Sequence, residues 1–189
     1  MYSPQFELLD YQIAIDREIN QEPENMEYHT AFFTGHRNIN DIRGKILRLI
    51  HLAMRQGVRE FWSGMAFGTD LLAAEILVER GVRWKAIIPC PHQSIKWSQT
   101  DQDKYQNLIE NASERILISK QYTPTCMMER NAYMVKNADL CLAIWDGRRE
   151  GGTFHTIQMA RKANKLIFQF NPKTDEFSIL EPPNQLSLF

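Results

Sequence analysis

The feature that most constrains this chain is an alternation of short apolar runs with helix-period segments between Thr30 and Phe170. Ala31-Phe32-Phe33 ends at Gly35, and Ile42, Ile46, Leu49, Ile50 and Ala53 follow at helical spacing. Phe61-Trp62 ends at Gly64, and a second helix carries Leu71, Leu72, Ala74 and Val78 before Gly81. Trp84 to Ile88 reads as the third strand, closed by Pro89 and Pro91. Gln99 to Ala112 reads as helix, Arg115 to Ser119 as a brief strand and Met127 to Asn137 as helix. Leu140 to Trp145 is a near-continuous apolar strand, Phe154 to Ala163 a helix and Leu166 to Phe170 the final strand. Strands apolar on both faces and separated by helices belong in a parallel sheet covered on each side. The expected fold class is α/β, a Rossmann-like three-layer fold with a mainly parallel sheet.

A chain of 189 residues suits one such domain. It is expected at 30–170, with an acidic helix and linker at 1–29 and a tail at 171–189. The formal charge of −1 divides along the same lines. Residues 1–29 carry seven acidic side chains against Arg17, a net of −6, and residues 30–170 carry 20 Lys and Arg against 13 Asp and Glu, a net of +7. The tail has Lys173 against Asp175, Glu176 and Glu181. Leu8, Tyr11, Ile15 and Ile19 predict an amphipathic helix over 5–20, suited to the basic core or to a sister subunit, and a homo-oligomer is expected. No apolar run approaches the ~20 residues of a membrane span, so no membrane partner is expected. Cys90, Cys126 and Cys141 are an odd count without CxxC spacing, which argues against a disulfide framework or structural zinc and for a cytoplasmic location.

Ligands of open parallel sheets bind beyond the carboxyl ends of the strands. Three segments there are glycine-rich: Thr34-Gly35-His36-Arg37, Ser63-Gly64-Met65-Ala66-Phe67-Gly68-Thr69-Asp70, and Asp146-Gly147-Arg148-Arg149-Glu150-Gly151-Gly152-Thr153. Glycine lets backbone N–H groups approach a ligand, and a helix N-terminus adds about half a positive charge. With Arg148 and Arg149 in the last segment, an anion is the expected guest, most naturally a phosphate. None of the three is a GxGxxG fingerprint or a GxxxxGK[ST] loop. Paired carboxylates and HxH spacing are lacking, so neither a metal nor a bound cofactor is expected.

These segments resemble a family. Phe33 to Arg37, then Ser63 to Ala66 with Gly68-Thr69-Asp70 and Ala74-Glu75, resemble the first two motifs of the YpsA/YoqJ-like branch of the SLOG (SMF/DprA–LOG) superfamily. Pro89-Cys90-Pro91 with Gln93, Trp97, Asp103 and Tyr105 resembles its third motif. Arg130-Asn131 with Tyr133-Met134, Asp139, and Gly151-Gly152-Thr153 with Ala160 resemble the rest. The resemblance implies a Rossmann-like binder of nucleotides or nucleotide-derived, ADP-ribose-like ligands. LOG-type members of the superfamily cleave a base from a nucleoside 5′-monophosphate, using an Arg in a Met-x-x-Arg-Lys segment and a Glu in a Gly-Gly-x-Gly-Thr-x-x-Glu segment. Met127-Met128-Glu129-Arg130-Asn131 matches the first, which implies a phosphate or ribose role for Arg130. In the second, Thr156 stands where the glutamate would be.

Breaking an N-glycosidic bond needs a carboxylate to stabilise an oxocarbenium-like centre or to activate water. Its absence leaves two readings, a sensor or sequestering protein and a weak N-glycosidase. The catalytic candidates are Arg130, Glu129 and His155; Asp70 or Glu75 could supply a carboxylate from another loop. The expected ligand contacts are residues 34–37, Gly64, Met65, Ala66, Gly68, Thr69, Asp70, Arg130, Asn131, Asp146, Gly147, Gly151, Gly152 and Thr153. His36 and His155 suit ligand contact or capping better than proton transfer, and Cys90, set between prolines, reads as a turn residue rather than a nucleophile. Trp97 and Tyr105 either stack on a base or close the hydrophobic layer over the third strand. Asp139, just before an apolar strand, reads as structural.

The tail carries a separate signal. Gln185-Leu186-Ser187-Leu188-Phe189 resembles the pentapeptide by which bacterial replication proteins dock into the DNA sliding clamp. A polar Gln with Leu and Phe anchors suits a hydrophobic pocket. The alternative function is therefore an accessory protein of replication or repair, bacterial or from a phage. DprA-type relatives bind single-stranded DNA, and a core of +7 is compatible with that.

Overall fold

The computed structural model describes residues 28–38 and 40–181. The leader helix expected at 5–20 and the docking peptide at 185–189 lie outside the described residues. In chain order the described elements are β1 (Thr30–Gly35), α1 (Arg43–Arg55), β2 (Glu60–Ser63), α2 (Thr69–Glu79), β3 (Trp84–Ile88), α3 (Gln99–Glu110) and β4 (Glu114–Leu117). They continue with α4 (Cys126–Asn137), β5 (Leu140–Ile144), α5 (Gly151–Lys162), β6 (Leu166–Asn171) and β7 (Glu176–Leu180). The sheet order is β4-β3-β2-β1-β5-β6-β7. All neighbours are parallel except β6 and β7. This is the expected α/β, Rossmann-like arrangement.

The apolar runs are continuous because the sheet is buried on both faces. Phe32 is in register with Trp62 and Cys141. These three pack on one layer with Met134 and Val135 of α4 and Ile157 and Ala160 of α5. Their strand neighbours Ala31, Phe33, Phe61 and Leu142 pack on the other with Ile46 and Leu49 of α1 and Ala73 and Leu77 of α2. Each fully buried Phe or Leu contributes about 1.5–3 kcal/mol, so the two layers anchor the inner strands β3, β2, β1, β5 and β6 from both sides. Among the described residues no helix is long and apolar enough to cross a membrane.

Two boundaries differ from the sequence expectation. Helix α5 begins at Gly151 rather than Phe154, so Gly151, Gly152 and Thr153 form its first turn. That turn is glycine-rich and partly exposed, and it carries no apolar period. The final strand is β7 rather than β6, so the sheet extends into the segment assigned to the tail. β7 folds back on β6 through a turn in which the Lys173 amide donates to Asn171 Oδ1 at 2.9 Å. Phe177 lies 4.9 Å from Phe170, and the Arg48 guanidinium covers the Phe177 ring at 4.2 Å. As an edge strand, β7 buries too few side chains to print an apolar run.

Candidate ligand-binding site

Strand order reverses direction between β1 and β5, and a crevice opens beyond their carboxyl ends. Asp146, two residues after β5, organises its β5 side. Arg148 donates to the Asp146 carboxylate from Nε at 3.0 Å and from Nη2 at 2.7 Å, and the Arg148 backbone amide donates to Oδ1 at 3.2 Å. Lys173 Nζ lies 3.1 Å from Oδ2 and His36 Nε2 2.9 Å from Oδ1. The Arg148 bonds, opposed by burial, hold the Asp146 carboxyl well below the usual carboxylate range. Burial lowers the His36 pKa although the Asp146 charge works the other way, so the imidazole is neutral at pH 7.

A second network crosses the crevice floor. Arg130, on α4, is buried and donates from Nη1 to the Gly64 carbonyl and from Nε to Asn131 Oδ1 at 2.7 Å. Its Nη1 lies 3.7 Å from Asp70 Oδ2 on α2. Burial raises the Asp70 pKa and lowers that of Arg130, each opposed by the charge of the other. Asn131 Nδ2 donates to Thr156 Oγ1 at 2.8 Å, and Thr156 Oγ1 donates to the Gly152 carbonyl at 2.8 Å. Four segments are thereby tied into one unit.

The glycines of the second loop serve this network. A Cβ on Gly64 would run into the Arg130 guanidinium and lie 2.8 Å from Asp70 Oδ2. Gly68 has φ +93°, and a Cβ there would strike the Arg37 carbonyl. Thr69 donates to the His36 carbonyl from its amide at 3.2 Å and its hydroxyl at 3.0 Å. The Ala66 amide donates to Asp70 Oδ2 at 3.3 Å. The amides of Ala66 and Thr69 are thus committed within the protein, and the loop braces the crevice.

The crevice holds a cavity of about 460 Å³, within the ~300–1,000 Å³ typical of small-molecule sites. Of the sequence-predicted contacts, Thr34, Gly35, His36, Arg37, Ala66, Asp70, Arg130, Asn131, Gly151, Gly152 and Thr153 line it. Gly64, Met65, Gly68 and Thr69 are not among the lining residues; Met65 and Thr69 are buried. Asp146 and Gly147 do not line it either, and Asp146 acts through Arg148 and His36, which do. Glu129 is exposed, its carboxylate accepting from Thr125 Oγ1 at 2.7 Å, and His155 is exposed against the Phe154 ring; neither lines the cavity. Met127 and Glu150 line the cavity from within segments the sequence singled out, though neither is among the expected contacts, and the tether from Lys173 carries no motif that would reveal it.

Cation and dipole converge on this cavity. Among the described residues no side chain caps α5, whose first turn opens on it at Gly151 and Gly152. Arg37 is exposed and makes no ion pair among the described residues. Arg148, paired with Asp146, also lines the cavity, so its positive groups gather on one side of the crevice. Thr156 is fully buried in the α4–α5 network, so the position of the superfamily's glutamate carries no carboxylate. Among the described residues no group of three or more His, Cys, Asp or Glu could hold a metal ion.

Other singled-out residues have structural roles. Cys90 and Cys126 are buried with their Sγ atoms 3.6 Å apart, and burial pushes the Cys90 thiol up to about 11, away from the thiolate a nucleophile needs. Tyr105 is buried edge-on to Trp97 at 5.4 Å and closes the layer over β3; burial pushes its pKa up to about 12. Asp139 Oδ2 accepts from the amides of His29 and Thr30 and from Thr30 Oγ1, each at 2.9 Å, pinning the start of β1.

A family model described as the YspA SLOG family (YpsA) matches residues 26–171. The chain belongs to this SLOG family. Among its relatives is a UPF0398 protein of Halalkalibacterium halodurans, 24% identical over 138 residues, covering 69% of this chain and 73% of that one. The SPβ prophage-derived protein YoqJ of Bacillus subtilis is 27% identical over 139 residues, covering 64% of this chain and 81% of that one. Among solved structures, DNA processing protein A of Helicobacter pylori, described for its single-stranded DNA binding mode, superposes with a TM-score of 0.60. It is 16% identical and the match covers 90% of this chain and 74% of that one, a likeness of fold.

Proposed function

We propose that this YpsA-family protein binds a nucleotide or nucleotide-derived ligand by its phosphate, as a sensor or sequestering protein rather than an efficient hydrolase. The observation that carries the reading is the convergence of Arg37, Arg148 and the uncapped first turn of α5 on one cavity. A phosphate oxygen takes backbone N–H groups at a helix N-terminus, and a guanidinium adds paired donors to the same group. The buried Arg130–Asp70 pair fixes the floor beneath it. Thr156 in place of a glutamate supports binding without base release. Native mass spectrometry of the purified chain, followed by calorimetry with the ligand it carries, tests the reading. Retention of a phosphorylated nucleoside, lost in Arg37→Ala, is the expected result; a chain that binds no nucleotide, ADP-ribose or inorganic phosphate overturns it.

The second reading is an accessory role in replication or repair, supported by the Gln185–Phe189 peptide and by the charge of +7 over residues 30–170. It places a sliding clamp at the C-terminus and single-stranded DNA on the basic core. Clamp affinity unchanged by removal of residues 185–189 would rule out the first contact. DNA binding insensitive to salt would rule out the second.

A further inference from the structure

We infer that a second chamber beside the phosphate cavity is the base subsite, so that the ligand is a nucleoside phosphate held by its aromatic ring as well as by its phosphate. This rests on the phosphate assignment above and extends it. The chamber has a volume of about 880 Å³ and shares Arg37, Ala66 and Met127 with the first cavity, so one ligand can reach from one into the other. The first cavity offers little ring surface to stack on: of its lining rings, Phe33 is a core side chain only 1% exposed, and the small His36 imidazole is tied to Asp146 at 2.9 Å.

The second chamber supplies what the first lacks. Phe67 is 39% exposed and Tyr122 71% exposed, and both line it. Trp97, also on the wall, meets Phe67 edge-on at 5.5 Å and holds that ring in place. Exposed aromatic rings beside cations are a stacking platform for bases, because every base has a π-face and the cations draw the phosphate. Lys96 and Lys120 line the same chamber, and among the described residues no Asp or Glu does. Gln93 adds a polar contact point. Its Nε2 donates to the Met65 carbonyl, which fixes the amide, and its buried Oε1 has no donor among the described residues. An exocyclic amine or ring N–H of a base is the kind of donor that acceptor lacks. The ligand therefore runs from the first turn of α5, past Arg37, to the ring cluster at Phe67, Trp97 and Tyr122.

Calorimetry on the full chain with two probes, ribose 5-phosphate and a purine nucleoside 5′-monophosphate, tests this. The nucleotide is expected to bind about tenfold or more tightly than ribose 5-phosphate, the increment of one stacked base. Tyr122→Ala, and separately Phe67→Leu, should remove most of that increment while ribose 5-phosphate, which has no base, keeps its affinity within about twofold. Thermal melts of both variants establish that they fold; Tyr122 is exposed enough for its loss to be tolerated. If ribose 5-phosphate binds and the nucleotide binds no more tightly, or if the preference survives both substitutions, the base subsite is wrong and the phosphate site stands. If neither probe binds, the phosphate assignment fails and this inference fails with it. A single-stranded oligonucleotide that binds more tightly than the mononucleotide through the same two rings also overturns it, assigning the chamber to a nucleic-acid strand.

Discussion

Arg130 and Asp70 lie 3.7 Å apart with both side chains buried, on two helices that the sequence separates by sixty residues. Removing one member leaves the other charge buried and uncompensated, which costs about 3–5 kcal/mol. Arg130→Met should therefore destabilise the chain strongly, and the double variant with Asp70→Asn should recover a substantial part. Urea denaturation of the four chains in the cycle measures this. Additive losses would show that the pair is not coupled. Because Arg130 carries the floor of the site, loss of ligand in Arg130→Ala alone does not establish a ligand contact.

Gly64 meets the same guanidinium from the loop side. Gly64→Ala should cost about 1–3 kcal/mol as an overpacking change, since the added methyl must displace Arg130 or Asp70. Gly152→Ala, where nothing lies within 4 Å of the added atom, is the control and should be close to neutral. Equal melting temperatures for the two variants would refute the close approach at Gly64.

Arg37 offers the cleaner test of anion binding. It is exposed and without an ion pair among the described residues, so Arg37→Ala should leave the melting temperature nearly unchanged. Loss of one charge-assisted contact, worth ~1.5–3 kcal/mol, should weaken phosphate-ligand affinity by about tenfold or more. Isothermal titration at two salt concentrations reads both the loss and its electrostatic origin. Unaltered affinity would remove Arg37 from the site.

Asp139 sets an acid limit on stability. Burial works to raise its pKa, but the donors from His29 and Thr30 outweigh burial and hold the carboxyl below its ordinary value. A group depressed in the folded state stabilises fully above its unfolded pKa, about 3.9 for Asp, and loses that contribution as pH falls through the lower folded value. The stability difference between the native chain and Asp139→Asn should therefore be constant from neutral pH down to about 5 and shrink below about 4. A difference that grows on acidification would contradict the assignment.

Thr156 bears on catalysis. Its hydroxyl is consumed between Asn131 Nδ2 and the Gly152 carbonyl, each at 2.8 Å, and it is fully buried. Incubation with purine nucleoside monophosphates should release no base at a rate useful to a hydrolase, as read by chromatography. Rapid release would mean that Asp70 or Glu150, the carboxylates that do line the cavity, supplies the missing group.

The elements were legible wherever burial was two-sided. β1 and β5 print near-continuous apolar runs because both faces of each strand are covered, and the expected Trp84–Ile88 strand, broken only by Lys85, coincides with β3. β7 was missed because an edge strand covered on few positions leaves only Phe177 and Leu180 half-buried. The start of α5 was placed late because Gly151 and Gly152 contribute no side chain to any period. Within the site, the glycine loops and Arg130-Asn131 were visible as motifs. Their roles were not: Gly64 and Gly68 accommodate protein atoms, and Asp146 binds Arg148, Lys173 and His36.

The sequence by itself determined the layered α/β order, the strand ends that carry the site and the basic character of residues 30–170. It could do so because periodicity, glycine placement and charge are local properties written along the chain. Only the tertiary structure decided which residues meet. It set Arg130 on Asp70 across two helices, brought Arg148, Lys173 and His36 to Asp146, and opened the Phe67–Tyr122 chamber beside the first cavity. Such contacts depend on strand order and helix packing, which bring distant segments together without leaving a spacing for the sequence to show.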